Sequence, residues 1–260
     1  MTVLHVLLSV ARRFLLLLAP ALGVLGFLLL WQSLVRIFDA AALPAPWDVV
    51  RHVASDPGYY WGNGRRTAWD AGLGFALALA VGIIGGAVAA HSRFAERALQ
   101  PLAVLIQVTP VFAYAQLVVI WLGFGTEPVV FVASVICVVP FLLNTATGFR
   151  AVDPAVLELA QSVNASRLEV LWQLRVPSAF PYLFTAARIS VGLSLTGAVL
   201  GEFFAHVTKG LGKSVNQALV YKLPLQLWGS VFVLALMGSV ATALIAVTER
   251  AVLRRRSPPQ

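Results

Sequence analysis

Six apolar runs, each long enough to cross a bilayer, recur along this chain at residues 14–35, 67–90, 99–122, 128–147, 181–204 and 225–248. A helix rises 1.5 Å per residue, so about 20 apolar residues cover the hydrocarbon core. A soluble protein with a very large core would still need charged outer faces on its helices, and most of these runs have none. Composition agrees: 59% of the 260 residues are hydrophobic, 12% are charged, and the mean hydropathy is +0.85. The expected fold is an all-α polytopic membrane protein with about six transmembrane helices.

The charges lie at span ends. A net charge of +8 would suggest nucleic acid only if the basic residues formed a patch. Instead, Arg12, Arg13, Arg93, Arg97, Arg150, Arg167, Arg175, Arg250, Arg254, Arg255 and Arg256 fall on one side of the predicted spans. Arg51, Arg65, Arg66, Lys209, Lys213 and Lys222 fall on the other. That bias puts both termini in the cytoplasm. The first run is long and has no small-residue cleavage site before Trp31-Gln32, so it reads as a retained span. The predicted organisation is an N-terminal span plus external segment at 1–66, a core at 67–248 and a basic tail at 249–260. Within the external segment, Pro46 to Val50 predicts a short helix along the membrane face. Gly82 and Gly86 are spaced as GxxxG, read as packing within the chain rather than a dimer seam.

Residues 153–177 are the long charged stretch between two apolar runs, and they carry their own helix punctuation. Asp153-Pro154 starts a helix: an acceptor at the N-cap, then a proline whose missing N–H costs nothing. Val156, Leu157, Ala160 and Val163 form one apolar face. Asn164 sits where the helix should stop, since asparagine tolerates the left-handed conformation. Ser166 to Glu169 is a capping box opening a second short helix, which Pro177 and Pro181 are expected to close. Helix, bend, helix makes a knob, and a knob needs a socket.

This stretch resembles the EAA loop of ABC-importer permeases. The family pattern is Glu-Ala-Ala, three residues, Gly, nine residues, Ile, one residue, Leu-Pro. Here Glu158-Leu159-Ala160, Asn164 and Leu174 to Pro177 keep every spacing, with Leu159 and Asn164 replacing an alanine and the glycine. The resemblance covers roughly Leu43 to Arg256. It is closest to the nitrate/sulfonate/taurine-type permeases, through Pro101 to Gly125, Leu142 to Pro154 and Gly197 to Phe204. It implies a type I (MetI-like) importer fold with a cytoplasmic coupling-helix loop at 150–180, in a bacterial plasma (inner) membrane. It further implies a second permease copy, most simply a homodimer, two separate ATPase subunits that bind ATP and magnesium, and an extracytoplasmic solute-binding protein. This chain would be non-catalytic and bind no cofactor. Glu158 would contact the ATPase, with Leu159, Ala160, Val163, Asn164 and Pro177 shaping the fit. The solute would be a small nitrate-, sulfonate- or taurine-like anion, or a pyrimidine or vitamin precursor.

Other motifs carry less. Gly212-Lys213-Ser214 resembles the end of a phosphate-binding loop, but Val207 stands where its first glycine is required. Asn164-Ala165-Ser166 is a formal glycosylation sequon on the predicted cytoplasmic side, and chance accounts for it. His5, His52, His91 and His206 have no metal-ligand spacing, and Cys137 is alone in an apolar run. Gln107, Gln116, Asn144 and Glu202 are candidates for a translocation path, since polar groups inside a membrane need a reason. Helix–helix hydrogen bonding accounts for them equally well. Asp70 and Arg188 fall near span ends, where side chains reach for the interface. A secondary transporter or channel is the alternative; it would show paired mid-membrane charges and inverted repeats. A purely structural subunit would not need the capped knob.

Overall fold

The computed structural model describes the backbone of residues 2–38 and 43–254, with side chains for 18–19, 21–37 and 43–254. The described residues are helical almost throughout. Helix α1 (Thr2–Phe38) contains the first predicted span, and its apolar stretch with described side chains is Ala21–Ile37. Its far end touches the bundle through Trp31, whose ring lies 4.9 Å from that of Trp228. Helix α2 (Pro46–Ser55) is the expected short helix, with Val49 buried.

The core is a three-helix sandwich of α3 (Pro57–His91), α6 (Thr126–Arg150) and α9 (Val176–Phe204). Lipid tails are as apolar as leucine, so these helices associate through close packing rather than water exclusion. Glycines make the approach possible. A Cβ on Gly74, Gly82 or Gly86 of α3 would lie 2.5, 2.3 or 2.5 Å from the Cβ of Ala133, Phe141 or Thr145 on α6. On the other side of α6, Gly197 and Gly201 of α9 would each bring a Cβ within 2.6 Å of a backbone Cα. The Gly82/Gly86 pair therefore packs within the chain, as its spacing predicts.

Three departures from expectation have local causes. Helix α3 starts ten residues before the apolar run, because Asp56 caps it by accepting from the Tyr59 N–H (3.0 Å) and Pro57 supplies the first position. The predicted third span at 99–122 is not one straight helix. It breaks into α4 (Arg93–Val108) and α5 (Val111–Leu122), bent by 101°. Pro110 has no N–H to continue the ladder and pushes Thr109 into extended backbone (φ −70°, ψ 123°).

The third departure is beyond the knob. Pro177 and Pro181 do not close a short helix there. The turn α8 (Arg167–Glu169) runs through a π-helical segment (Val170–Arg175) directly into α9. The wider π turn, in which the Val176 N–H reaches back to the Leu171 carbonyl, precedes Pro177 in the first turn of α9, where its ring is tolerated. Helix α7 (Pro154–Ser162) precedes this run, and α10 (Leu211–Val220) and α11 (Pro224–Arg254) complete the chain. Among the described residues, four helices are long and apolar enough to cross a membrane, or five if the bent α4–α5 pair is one crossing.

Candidate functional site

The elbow at residues 153–169 folds as its punctuation dictates. Asp153 Oδ1 accepts from the Ala155 N–H at 2.9 Å, with Pro154 at the first helical position. After nine residues the chain reverses at Asn164, which takes φ 54°. The Ala165 and Asn164 N–H groups fold back on the carbonyls of Ala160 (2.9 Å) and Gln161 (3.0 Å). Then Ser166 and Glu169 form a complete capping box: the Ser166 N–H donates to Glu169 Oε2 (2.7 Å) and the Glu169 N–H to Ser166 Oγ (3.3 Å).

This elbow stands clear of the bundle. No residue of α7 is buried, and Leu159 and Val163 are 65% and 70% exposed. Val156, Leu168 and Trp172 are exposed as well. Glu158 is exposed, with no ion pair or side-chain hydrogen bond among the described residues. Ala160 and Pro177 are half-buried. Apolar side chains held outward on a doubly capped, rigid turn mark an interaction surface.

The base of the elbow is tied to the bundle by polar contacts from four helices. Arg150, at the end of α6, grips Glu96 of α4 through both nitrogens (Nη2 to Oε2, 2.9 Å) and donates to the Ala89 carbonyl of α3 (2.6 Å). Arg175 meets His91 Nε2 at 3.1 Å, and Ser178 Oγ donates to the Gly148 carbonyl at 3.2 Å. These contacts join the base of the elbow to the ends of α3, α4, α6 and α9.

The four polar residues singled out for a pathway do not share one site. Gln107 lines a cavity of about 440 Å³ at the α4–α5 break, with Thr109, Pro110, Tyr114, Pro140 and Leu193. Gln116 is exposed on α5 outside that cavity. Asn144 satisfies its own helix, donating to the Pro140 carbonyl (2.8 Å). Glu202 is 1% exposed in a polar cluster at the opposite end from the elbow.

That cluster was only partly foreseen. Asp70 does not reach for the interface: it is fully buried, with Oδ2 2.8 Å from Arg66 Nε. It lies beneath the early start of α3, which also places Thr67 one turn and Asn63 two turns before it on the same face. The Asp56-Pro57 pair was the available signal. Arg188 finds Glu249 of α11 as its ion partner.

A bundle of bilayer-length helices, broken once in its course and bearing a rigid exposed elbow at one end, defines the membrane-embedded subunit of a transporter. Residues 78–258 match the family described as binding-protein-dependent transport system inner membrane component, and the chain belongs to that family. It is 34% identical over 244 residues to the riboflavin transport system permease protein RibX of Chloroflexus aurantiacus, covering 90% of each chain. It is 27% identical over 248 residues to the taurine transport system permease protein TauC of Escherichia coli, covering 92% of this chain and 88% of that one. The solved structure of an amino acid ABC transporter shares the fold at a TM-score of 0.56 and 17% identity, over 79% of this chain and 97% of that one. The chain is thus an ABC-importer permease of the nitrate/sulfonate/taurine type, the subunit that forms the translocation pathway.

Proposed function

We propose that two copies of this chain enclose a pathway for a small solute, and that the α7 elbow receives the stroke of a separate ATPase. The supporting observation is the elbow itself: a doubly capped turn with outward Leu159 and Val163 and an unpaired Glu158, rooted on four helices. Alternating access requires two conformations and a ligand with differential affinity for them. In this reading that ligand is ATP with magnesium at two ATPase subunits, docked on α7. An extracytoplasmic binding protein delivers the solute at the other end, and α7 and both termini face the cytoplasm of a bacterial inner membrane. Glu158 contacts the ATPase through a charge-assisted hydrogen bond. Solute passes the cavity beside Gln107, at the α4–α5 break. The similarity to a riboflavin permease supports a vitamin-type heterocycle as solute over a sulfonate.

The test is reconstitution in liposomes with candidate ATPase and binding proteins, measuring solute-stimulated ATP hydrolysis. Glu158→Arg should cut the stimulation roughly tenfold or more while membrane insertion is kept. Full stimulation in that variant would remove Glu158 from the contact. Stimulation by taurine but not by riboflavin or a pyrimidine would reverse the substrate reading.

A further inference from the structure

At the end of the bundle away from α7, three side chains clasp the first turn of α10. The backbone N–H groups of Gly210, Leu211 and Gly212 donate to Asn63 Oδ1 (2.9 Å), Thr67 Oγ1 (2.8 Å) and Glu202 Oε2 (2.7 Å). Helix termini leave such donors unpaired, so side-chain acceptors are what the start of α10 demands. The fit is tight: a Cβ on Gly210 would meet the Glu202 carboxylate at 2.4–2.6 Å, and one on Gly212 the Val199 carbonyl at 2.2 Å. Two neutral acceptors and one acid would satisfy the three donors. The cluster contains a second acid, Asp70.

The charges here do not balance. Asp70 and Glu202 are 0% and 1% exposed, and they are joined through Thr67, one turn before Asp70 on α3, whose hydroxyl lies 3.0 Å from Glu202 Oε2. Among the described residues Arg66 is the only cation paired within the cluster, and it is hydrogen-bonded to Asp70 Oδ2 and to the Thr126 hydroxyl. Lys213, from α10, turns its ammonium to the Thr208 carbonyl at 2.7 Å and makes no ion pair with Glu202. His206 hydrogen-bonds to the Phe204 carbonyl through Nδ1 (3.0 Å), and the α11 side chains hydrogen-bonded to Ser214 of α10 are the neutral Gln226 and Ser230. Two carboxylates against one guanidinium leave one negative charge uncompensated. Two buried oxygens, Asp70 Oδ1 and Glu202 Oε1, have no hydrogen-bond partner among the described residues. A buried charge without a counter-charge is strongly disfavoured, and so is a buried acceptor without a donor. One bound positive charge relieves both faults.

We infer that Asp70 and Glu202 form a buried site for a single monovalent positive charge, a proton or an alkali cation, which locks α10 to α3 and α9. One uncompensated negative charge calls for a single positive one, and no group of three or more His, Cys, Asp or Glu side chains occurs among the described residues. The bound charge lets Glu202 keep its Oε2 on the Gly212 N–H without facing an uncompensated Asp70. Glu202→Gln, which supplies a neutral group with its own donor, reproduces the occupied site; Glu202→Ala destroys the clasp.

The test is thermal unfolding of the full chain in lipid nanodiscs, in sodium-free buffer, with choline chloride as ionic-strength control. Wild type should lose melting temperature as pH is raised if the charge is a proton. It should regain melting temperature with added sodium chloride, but not choline chloride, if the charge is an alkali cation. Glu202→Gln should stay within a few degrees of the best wild-type condition and respond to neither. Glu202→Ala should melt lower throughout. A wild type indifferent to both pH and sodium, or a Glu202→Gln variant that keeps the wild-type response, overturns the assignment. So does a Glu202→Gln variant that melts as low as Glu202→Ala, because the clasp then requires an ionised carboxylate.

Discussion

Along the seam between α3 and α6, glycines bring backbones so close that an added methyl would sit 2.3–2.5 Å from another carbon. At the elbow, α7 buries none of its nine residues and turns leucine and valine side chains outward. The two regions divide labour. The seam holds the body together through shape along its length, with polar contacts at its two ends, Arg66 to Thr126 and Arg150 to the Ala89 carbonyl. The elbow is held by hydrogen bonds within itself and at its base, which leaves its outer face free for another protein. Damage to the seam should therefore appear as loss of folded protein, and damage to the elbow as loss of coupling in a folded protein.

The largest effect belongs to Gly86→Val. Its Cβ would meet the Thr145 Cβ at 2.5 Å and the Leu142 carbonyl oxygen at 2.6 Å, and backbone cannot swing aside. Overpacking of a core costs roughly 1–3 kcal/mol, and a valine here adds two more methyls to a closed seam. Detergent-extracted protein should elute mainly as aggregate in size-exclusion chromatography, where wild type gives a single peak. A well-behaved variant would mean that the seam is looser than its glycines suggest.

Glu158→Arg comes next and acts on the other side of the comparison. Loss of a charge-assisted hydrogen bond removes about 1.5–3 kcal/mol, roughly tenfold or more in solute-stimulated ATP hydrolysis. The same variant should match wild type in size-exclusion and melting profiles. If it also melted early, elbow and body would not be separable.

Asn164 decides whether the bend geometry matters. At φ 54°, Asn164→Ala meets the left-handed penalty of about 1–2 kcal/mol, whereas Asn164→Gly does not. Stimulated hydrolysis should fall several-fold in the alanine variant and stay near wild type in the glycine variant. Equal behaviour would show that the turn re-forms regardless of backbone preference. The smallest effect is Ser166→Ala, which removes half of the capping box at a cost of about 1 kcal/mol. Amide exchange at residues 167–170 should quicken by about fivefold, with transport little changed.

The elbow was legible because its determinants are local. Asp153, Asn164 and the Ser166/Glu169 box each act within four residues, and each takes its expected role. The Gly82/Gly86 pair was legible for a related reason: small residues one turn apart permit close packing whichever helix arrives. Prolines were harder to read. Pro110 bends the chain by 101° and Pro140 lies within an unbroken α6, although both sit in apolar runs. Pro177 and Pro181 continue a helix that they were expected to end: the π-helical turn at 170–175 leads into α9 with Pro177 in its first turn, and Pro181 lies within α9. Such outcomes depend on what neighbouring backbone can accept a missing N–H. The clasp of α10 was the least visible feature. Asn63, Thr67 and Glu202 meet Gly210 to Gly212 across 147, 144 and 10 residues of chain, and only the fold brings them together.

Cys137 is the only cysteine in the chain and is buried, so a cysteine placed at Leu159 offers a single exposed thiol. The most direct measurement is thiol cross-linking from Leu159→Cys in the assembled importer, with and without ATP. Nucleotide-sensitive cross-links to the ATPase subunit are the predicted result. Cross-links to the solute-binding protein instead, or none to the ATPase in a complex that hydrolyses ATP on solute addition, would contradict the docking of α7.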